Sequence, residues 1–387
     1  VLVSDLRWAG APGLLDGWAR ASLSVRAERQ HGDAADGYLT VGKGARAAAA
    51  VPALGVGPVE ATGEGGLRLA DWGRLQAFNA TTDYAGALGA LGQDMTAAGR
   101  HWTLVTSGPS TWAAAAAVAD RDGAVAHADD GGAPGVSRAL SEGADAVVAA
   151  VPAAEVPAVA AAAGSACVVV ASVSSPDADR HLGVLAASPA CGLGHAGLSS
   201  PSTHQSHLAT IDDVAPTFLS LVGVPPSPDM TGSVVRASGP VPVGDLIERD
   251  RRSFTADGMR PRLVWLFIVL SAVGAAIAVL WRRARPAVAW VLLAIPPASF
   301  LVMAVPWWRW GGGAVLVVGA AIVGVLAGGA AFVGRRHVRL GVAALGALTA
   351  AVVGIDAVFG GRLEIDAPFG NSPVTAGRFY GVGNIGS

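Results

Sequence analysis

The sequence predicts an α/β domain, a mostly parallel sheet with helices on both faces, followed by an α-helical transmembrane bundle. Three observations carry this expectation. Short strand-like apolar runs alternate with alanine-rich helical stretches up to about residue 245. Four long apolar segments then follow in close succession. Acidic and basic residues are scattered before Arg262 and afterwards fall almost only in short clusters between apolar runs. A change of solvent from water to lipid accounts for the last two together.

In the first part, the chain opens as a buried strand that ends at Asp5. Residues 84–99 read as an amphipathic helix, 101–108 as a strand, 137–150 as a helix and 166–174 as another buried strand. A further helix begins near Asp213, where acidic residues suit its positive end. Alternating strands and helices imply parallel pairing. Ligands of such sheets gather at the carboxyl ends of the strands, where Asp5 and residues 174–181 belong. The run 39–47, LTVGKGARA, carries the sole lysine, Lys43, and reads as a helix-start turn or an anion cradle. There is no dinucleotide fingerprint, P-loop, nucleophile elbow or HExxH pair.

The formal net charge of −2 provides no basic field, which excludes nucleic acid as a partner. Cys167 and Cys191 lack metal-type spacing and read either as one disulfide in an oxidising compartment or as two buried small apolar side chains. The Asn79-Ala80-Thr81 triplet matches a glycosylation acceptor at a frequency expected by chance. Seven of the eight histidines precede residue 245, an enrichment that invites a metal reading.

The apolar segments cover 263–281, 287–306, 313–334 and 340–359, each long enough to cross a hydrocarbon core of about 30 Å as a helix. Arg282, Arg283 and Arg285 separate the first two, and Arg335, Arg336 and Arg339 the last two. The middle connection has Arg309 among Trp307, Trp308 and Trp310. Positive loops stay in the cytoplasm and tryptophans mark the interface. The chain is therefore expected to be a multi-pass protein of the cell membrane, in contact with the lipid bilayer, with its N-terminal domain extracytoplasmic. Asp356 lies near the outer end of the fourth span, and Pro296, Pro297 and Pro306 predict a kink in the second. The expected organisation is a domain over 1–245, a juxtamembrane linker over 246–262, the four spans within 263–360, and an extracytoplasmic glycine-rich segment over 361–387. Both ends read as cut, with a signal sequence or a first transmembrane helix expected before Val1.

One segment is more specific. Residues 207–235 contain Asp213, Ala215, Pro216, Thr217, Leu219, Leu221, Gly223, Pro226, Met230 and Gly232. This spacing resembles the C-terminal signature of the alkaline phosphatase superfamily, which includes sulfatases, cofactor-independent phosphoglycerate mutases and membrane-bound phosphoethanolamine transferases. Three other regions fall in the superfamily's order: the strand ending at Asp5, the run 39–47, and residues 168–183, where an Asp-His metal pair is expected. The resemblance covers about 240 residues. The whole chain is also similar to multi-pass actinobacterial membrane proteins with such an ectodomain, and residues 377–384, GRFYGVGN, support that kinship.

The resemblance implies two divalent cations, zinc or manganese, and a hydroxyl or thiol nucleophile. Carried onto this sequence, the ligand candidates are Asp5, Asp177, Asp179, His181 and His195, with His204 and His207 as alternatives to the last. The sequence departs from the pattern in two places. Arg180 stands between the acidic residues and His181, and the stretch from His31 to Ala35 has no Ser, Thr or Cys, which leaves Thr40 as the nearest hydroxyl. Two principal readings follow. One is a divergent metal-dependent phospho- or sulfo-ester hydrolase or transferase acting on lipid-linked or cell-envelope substrates. The other is a catalytically inactive binding or scaffold module of the envelope. A third, transport of a lipid-linked substrate, rests on Asp356, the prolines and the glycine-rich tail.

Overall fold

The computed structural model describes residues 1–11, 13, 15–28, 33–63, 65–84, 86–175 and 180–375. The chain divides into two compact units, Val1–Glu248 and Arg249–Ser387.

In the first unit the strands are β1 Leu2–Ser4, β2 Ala19–Ser24, β3 Val59–Ala61, β4 Leu67–Leu69, β5 Trp102–Thr106, β6 Ala124–Val125, β7 Ala128–Asp129, β8 Ala146–Ala150, β9 Val169–Ser174, β10 Gly183–Ala187, β11 Gly197–Ser199, β12 Leu208–Thr210 and β13 Arg236–Ser238. The main sheet has the order β13-β11-β2-β10-β9-β1-β8-β5-β7, with β12 also on β2. It is mostly parallel; β10 runs antiparallel to β9 and β2, and β13 antiparallel to β11. β3, β4 and β6 form a small separate sheet.

Side chains alternate across the main sheet, as the two-residue period of a strand requires. Leu2, Ala171, Val173, Leu185 and Ala187 join one apolar cluster, and Val3, Val170, Val184 and Ala186 join another. The helices are α1 Ala34–Lys43, α2 Trp72–Asn79, α3 Ala90–Ala97, α4 Ala115–Val118, α5 Gly132–Ser141, α6 Val156–Ala162 and α7 Val214–Leu221. α1 to α4 and α7 supply the first cluster, and α5 and α6 the second, so both faces are covered.

Helix α1 is the most deeply set. A Cβ on Gly37 would lie 1.8 Å from the Val173 carbonyl oxygen, and one on Gly42 would lie 2.4 Å from that of Ala116, so only glycine lets this helix reach β9 and α4. Its polar side chains serve the chain that follows. Thr40 Oγ1 donates to the Ala47 carbonyl (3.2 Å) and accepts from the Ala47 N–H (3.1 Å). Asp36 accepts from the Ala49 N–H at 2.7 Å. Asn79 of α2 takes both peptide groups of Ala48, at 3.1 and 2.8 Å. The buried residues Ala47 to Ala49 therefore have peptide groups satisfied by side chains.

Several sequence expectations are corrected. The run 39–47 ends a helix instead of starting one, with Gly44 at φ 65° as the left-handed cap. The helix expected over 84–99 is confined to α3, because Gly86 and Gly89 take positive φ (99° and 82°). Residues 137–150 hold the end of α5 and then strand β8, not one helix.

Among the described residues four helices are long and apolar enough to cross a membrane, which makes the chain a membrane protein. They are α8 Val243–Leu280, α9 Arg285–Leu301, α10 Ala314–Val333 and α11 Val338–Val358. α9 continues as a 3-10 turn to Ala304, so Pro306 falls outside it while Pro296 and Pro297 are within. The stretch 246–262, expected as a linker, is part of α8, and the division between the units falls inside this helix. Asp356 is 6% exposed and its carboxylate accepts the N–H groups of Leu363 and Glu364 (2.8–2.9 Å), which pins the return loop to the end of α11. Asp366 of that loop pairs with Arg252 (3.1 Å) and accepts from Ser253 Oγ (3.0 Å).

Thr40→Val keeps the volume but strands the Ala47 N–H, and is expected to cost about 1–3 kcal/mol. Asn79→Leu strands two groups of Ala48 and costs more. Urea unfolding of the detergent-solubilised chain checks both, and an unchanged midpoint for Asn79→Leu would refute the assignment.

Candidate functional site

Strands β1, β2, β5, β8, β9 and β12 point the same way, so their carboxyl ends form one edge. Open parallel sheets bind ligands at such edges. Ser4 pairs with Ser174, so the carboxyl ends of β1 and β9 lie side by side. Asp5 follows β1 with φ 52°, a left-handed conformation uncommon for a side chain with a Cβ. Its Oδ1 lies 3.7 Å from Arg7 Nε. The Leu6 N–H binds Ser172 Oγ (3.2 Å), which fixes the turn to β9. After β9, Ser175 Oγ accepts the His181 N–H at 3.0 Å.

Beside this pair of turns the edge is cationic. Arg26 and Glu28 follow β2, and the Glu28 N–H binds the Ala47 carbonyl, which sets them against the end of α1. Arg26 is held below its ordinary pKa, first by burial and then by the nearby charge of Arg46, with Arg180 adding in the same sense; Tyr84 and Glu28 act in the opposite sense. Arg46 Nη1 donates to the Tyr84 hydroxyl (3.0 Å), and its guanidinium sits 5.4 Å from that ring. Lys43 is fully buried and donates to the Tyr84 carbonyl at 2.9 Å, with its pKa lowered by burial and raised by Glu28.

The sharpest sequence motif lies after β12 and is explained by packing. Asp213 accepts from Ser202 Oγ (2.6 Å), the Thr210 N–H and Oγ1 (both 2.8 Å) and the Ser233 N–H (2.8 Å). Thr217 Oγ1 donates to the Asp213 carbonyl and accepts from the Val235 N–H. A Cβ on Gly232 would lie 2.0 Å from the Asp212 carbonyl oxygen. The motif is a joint that clamps residues 230–235 to the start of α7. Asp212, adjacent to it, has its pKa raised by burial and by Asp213, with Thr210 and Arg46 opposing.

The predicted site residues are only partly brought together. Asp5 and His181 share the edge, and Asp177 and Asp179 lie outside the described residues. His195 stands at the other edge, packed near Gly17 ahead of β2 (Cβ position to Cε1 3.3 Å), because β10 runs antiparallel and the chain leaves it there. His207 is held by the Gly239 carbonyl at 2.9 Å. Thr40 is 0% exposed, with its hydroxyl engaged by Ala47. Among the described residues no three His, Cys, Asp or Glu side chains gather as a metal set, and Arg7 lies beside Asp5. Sequence reading offered the run that holds Arg46 as an anion cradle and passed over Arg26 and Tyr84. Its one available signal was an arginine two residues beyond a buried strand.

No protein-family model, curated protein or solved structure matches the chain.

A raised carboxyl withholds stability once it ionises, so that part of the stability is present below the unfolded value of about 3.9 and is lost as pH rises through the folded value. Asp212→Asn is therefore expected to match the parent near pH 4 and to exceed it in urea midpoint at pH 7. A variant less stable at pH 7 would reverse the assignment.

Proposed function

We propose that this is a multi-pass cell-membrane protein whose α/β unit lies outside the cytoplasm and binds phospho- or sulfo-ester groups of cell-envelope compounds at its cationic sheet edge. The observation that carries the reading is the bond from the Glu28 N–H to the Ala47 carbonyl, which sets Arg26, beyond the carboxyl end of β2, near Arg46, with the charge of Arg180 acting on the same guanidinium. The arginine-rich connections after α8 and α10 and the tryptophans between α9 and α10 support the orientation. The disulfide between Cys167 and Cys191 supports an oxidising compartment for the first unit. The resemblance to the alkaline phosphatase superfamily supports the ligand class.

A second reading, a metal-dependent hydrolase or transferase, draws on Asp5, whose left-handed backbone at a central strand end is a conformation that clusters at active sites. On this reading Asp5 and His181, with Asp177 and Asp179, would hold zinc or manganese, which would supply a Lewis acid.

The full chain in detergent should bind inorganic phosphate or sulfate in calorimetry, and Arg26→Gln with Arg46→Gln should weaken binding about tenfold or more. Metal content and hydrolysis of p-nitrophenyl phosphate and sulfate separate the readings: bound zinc or manganese lost in Asp5→Ala/His181→Ala, together with turnover, favours the enzyme. Neither binding nor turnover would overturn both. For orientation, a cysteine at Glu142 should react with an impermeant maleimide in intact cells, and one at His337 only after permeabilisation.

A further inference from the structure

Helices α9, α10 and α11 pack on one another, while the membrane-facing half of α8 stands away from them. Trp265, Ile268, Val269 and Val273 of α8 are 67%, 47%, 52% and 49% exposed. Between α8, α9 and α10 this leaves a slot of about 430 Å³. Leu266 and Leu270 form one wall, Ile295 the floor, and Gly319 and Gly324 the opposite wall. The glycines account for the space, since a Cβ at either would meet no atom within 4 Å. Ser299, the sole polar side chain in the lining, turns its hydroxyl to the Pro296 carbonyl at 2.7 Å. The slot therefore presents only hydrocarbon.

The slot is bounded at both ends without being enclosed. Toward the α8–α9 connection the two helices converge, with the Cβ position of Gly274 lying 3.0 Å from Val288 Cγ1, and Arg285 Nε reaches the Ala278 carbonyl (2.7 Å). At the other end Pro368 and Phe369 roof the slot, and Phe369 meets the Phe267 ring edge-on at 5.3 Å. The lining runs from Leu263 to Leu270 on α8 and from Val291 to Val302 on α9. At 1.5 Å per residue that is about 10 to 16 Å, close to half of a ~30 Å hydrocarbon core. A helix of a second copy, about 10 Å wide and crossing both leaflets, does not suit a slot bounded at mid-membrane. One lipid chain does.

The charge at the roof selects the headgroup. Arg262 immediately precedes the lining residue Leu263, is exposed, and its Nη1 donates to Met259 Sδ at 3.6 Å, a weak acceptor. A guanidinium so placed at the membrane surface is complementary to a lipid phosphate. We propose that the slot is a binding site for one anionic phospholipid of the leaflet nearest the Trp307–Trp310 turn, its acyl chain between α8 and α10 and its phosphate on Arg262. This site is independent of the sheet edge in the first unit.

The test is native mass spectrometry of the full chain, purified in mild detergent and exposed to phosphatidylglycerol or phosphatidylcholine with the same chains. The parent should retain one phosphatidylglycerol in preference to phosphatidylcholine. Gly319→Leu/Gly324→Leu, which fills the slot, should lose it, and Gly328→Leu, which adds bulk on α10 away from the lining, should keep it. Arg262→Gln should reduce retention of phosphatidylglycerol about fivefold, to the level of phosphatidylcholine. Retention by the filled variant equal to the parent overturns the proposal, as does a parent that does not distinguish the two lipids. A dimer abolished by the filled variant assigns the slot to a second copy and also overturns it. If the filled variant fails to fold, Arg262→Gln decides alone, and an unaltered preference for phosphatidylglycerol refutes the site.

Discussion

Ala47, Ala48 and Ala49 are buried in the first unit outside any helix or strand, and their peptide groups bond to side chains of α1 and α2. An unpaired peptide group there would cost as much as several well-packed methyl groups return. This requirement explains why α1 carries Asp36, Thr40 and Lys43 although all three are 0% exposed. It also explains the closeness of α1 to β9 and α4, since the helix must lie deep enough to reach a buried segment. The rest of the edge follows. Glu28 is tied to Ala47, so Arg26 is placed beside Arg46, and Lys43 and Arg46 both hold Tyr84. The cationic edge is thus a by-product of a packing problem solved with polar side chains.

The second unit answers a related problem in another solvent. Loop backbone near a bilayer must find partners within the protein. Asp356 supplies them at the end of α11, and Arg252 receives the carbonyls of Arg362 and Ile365 while pairing with Asp366. Burial pushes Asp366 above the ordinary carboxyl range, and Arg252 and Ser253 pull it back. Asp356, the acid expected near the outer end of the fourth span, is therefore used as a cap.

The coarse architecture was readable because its signals are strong. Apolar runs of about twenty residues and clusters of arginine leave little choice, and the strand at 166–174 is bounded by turns. The misread elements have two causes. Alanine and valine serve helix and strand equally in short runs, so 137–150 concealed a helix and a strand. Gly86 and Gly89 held back the start of α3 through backbone angles that no hydrophobic period encodes. The site was less legible. Asp5 was found because strand ends announce themselves, whereas Arg26, Arg46 and Arg180 come from three separate segments that only the sheet order brings together. The clearest motif, around Asp213, marked a joint and not a reactive centre.

The bond between Cys167 and Cys191 joins the start of β9 to the turn just after β10, 24 residues on. It therefore closes a ring that contains the antiparallel β9–β10 pair, with Arg180 and His181. In the unfolded, oxidised chain this ring persists, and the two strands remain neighbours before any sheet exists. Elsewhere the sheet is assembled from distant partners, with β2 meeting β10 and β1 meeting β9 across more than 150 residues. Such pairings are slow because each must first close a long loop. An oxidised β9–β10 pair gives β1 and β2 a preformed template with one edge for each, so oxidation is expected to set the order in which this topology assembles.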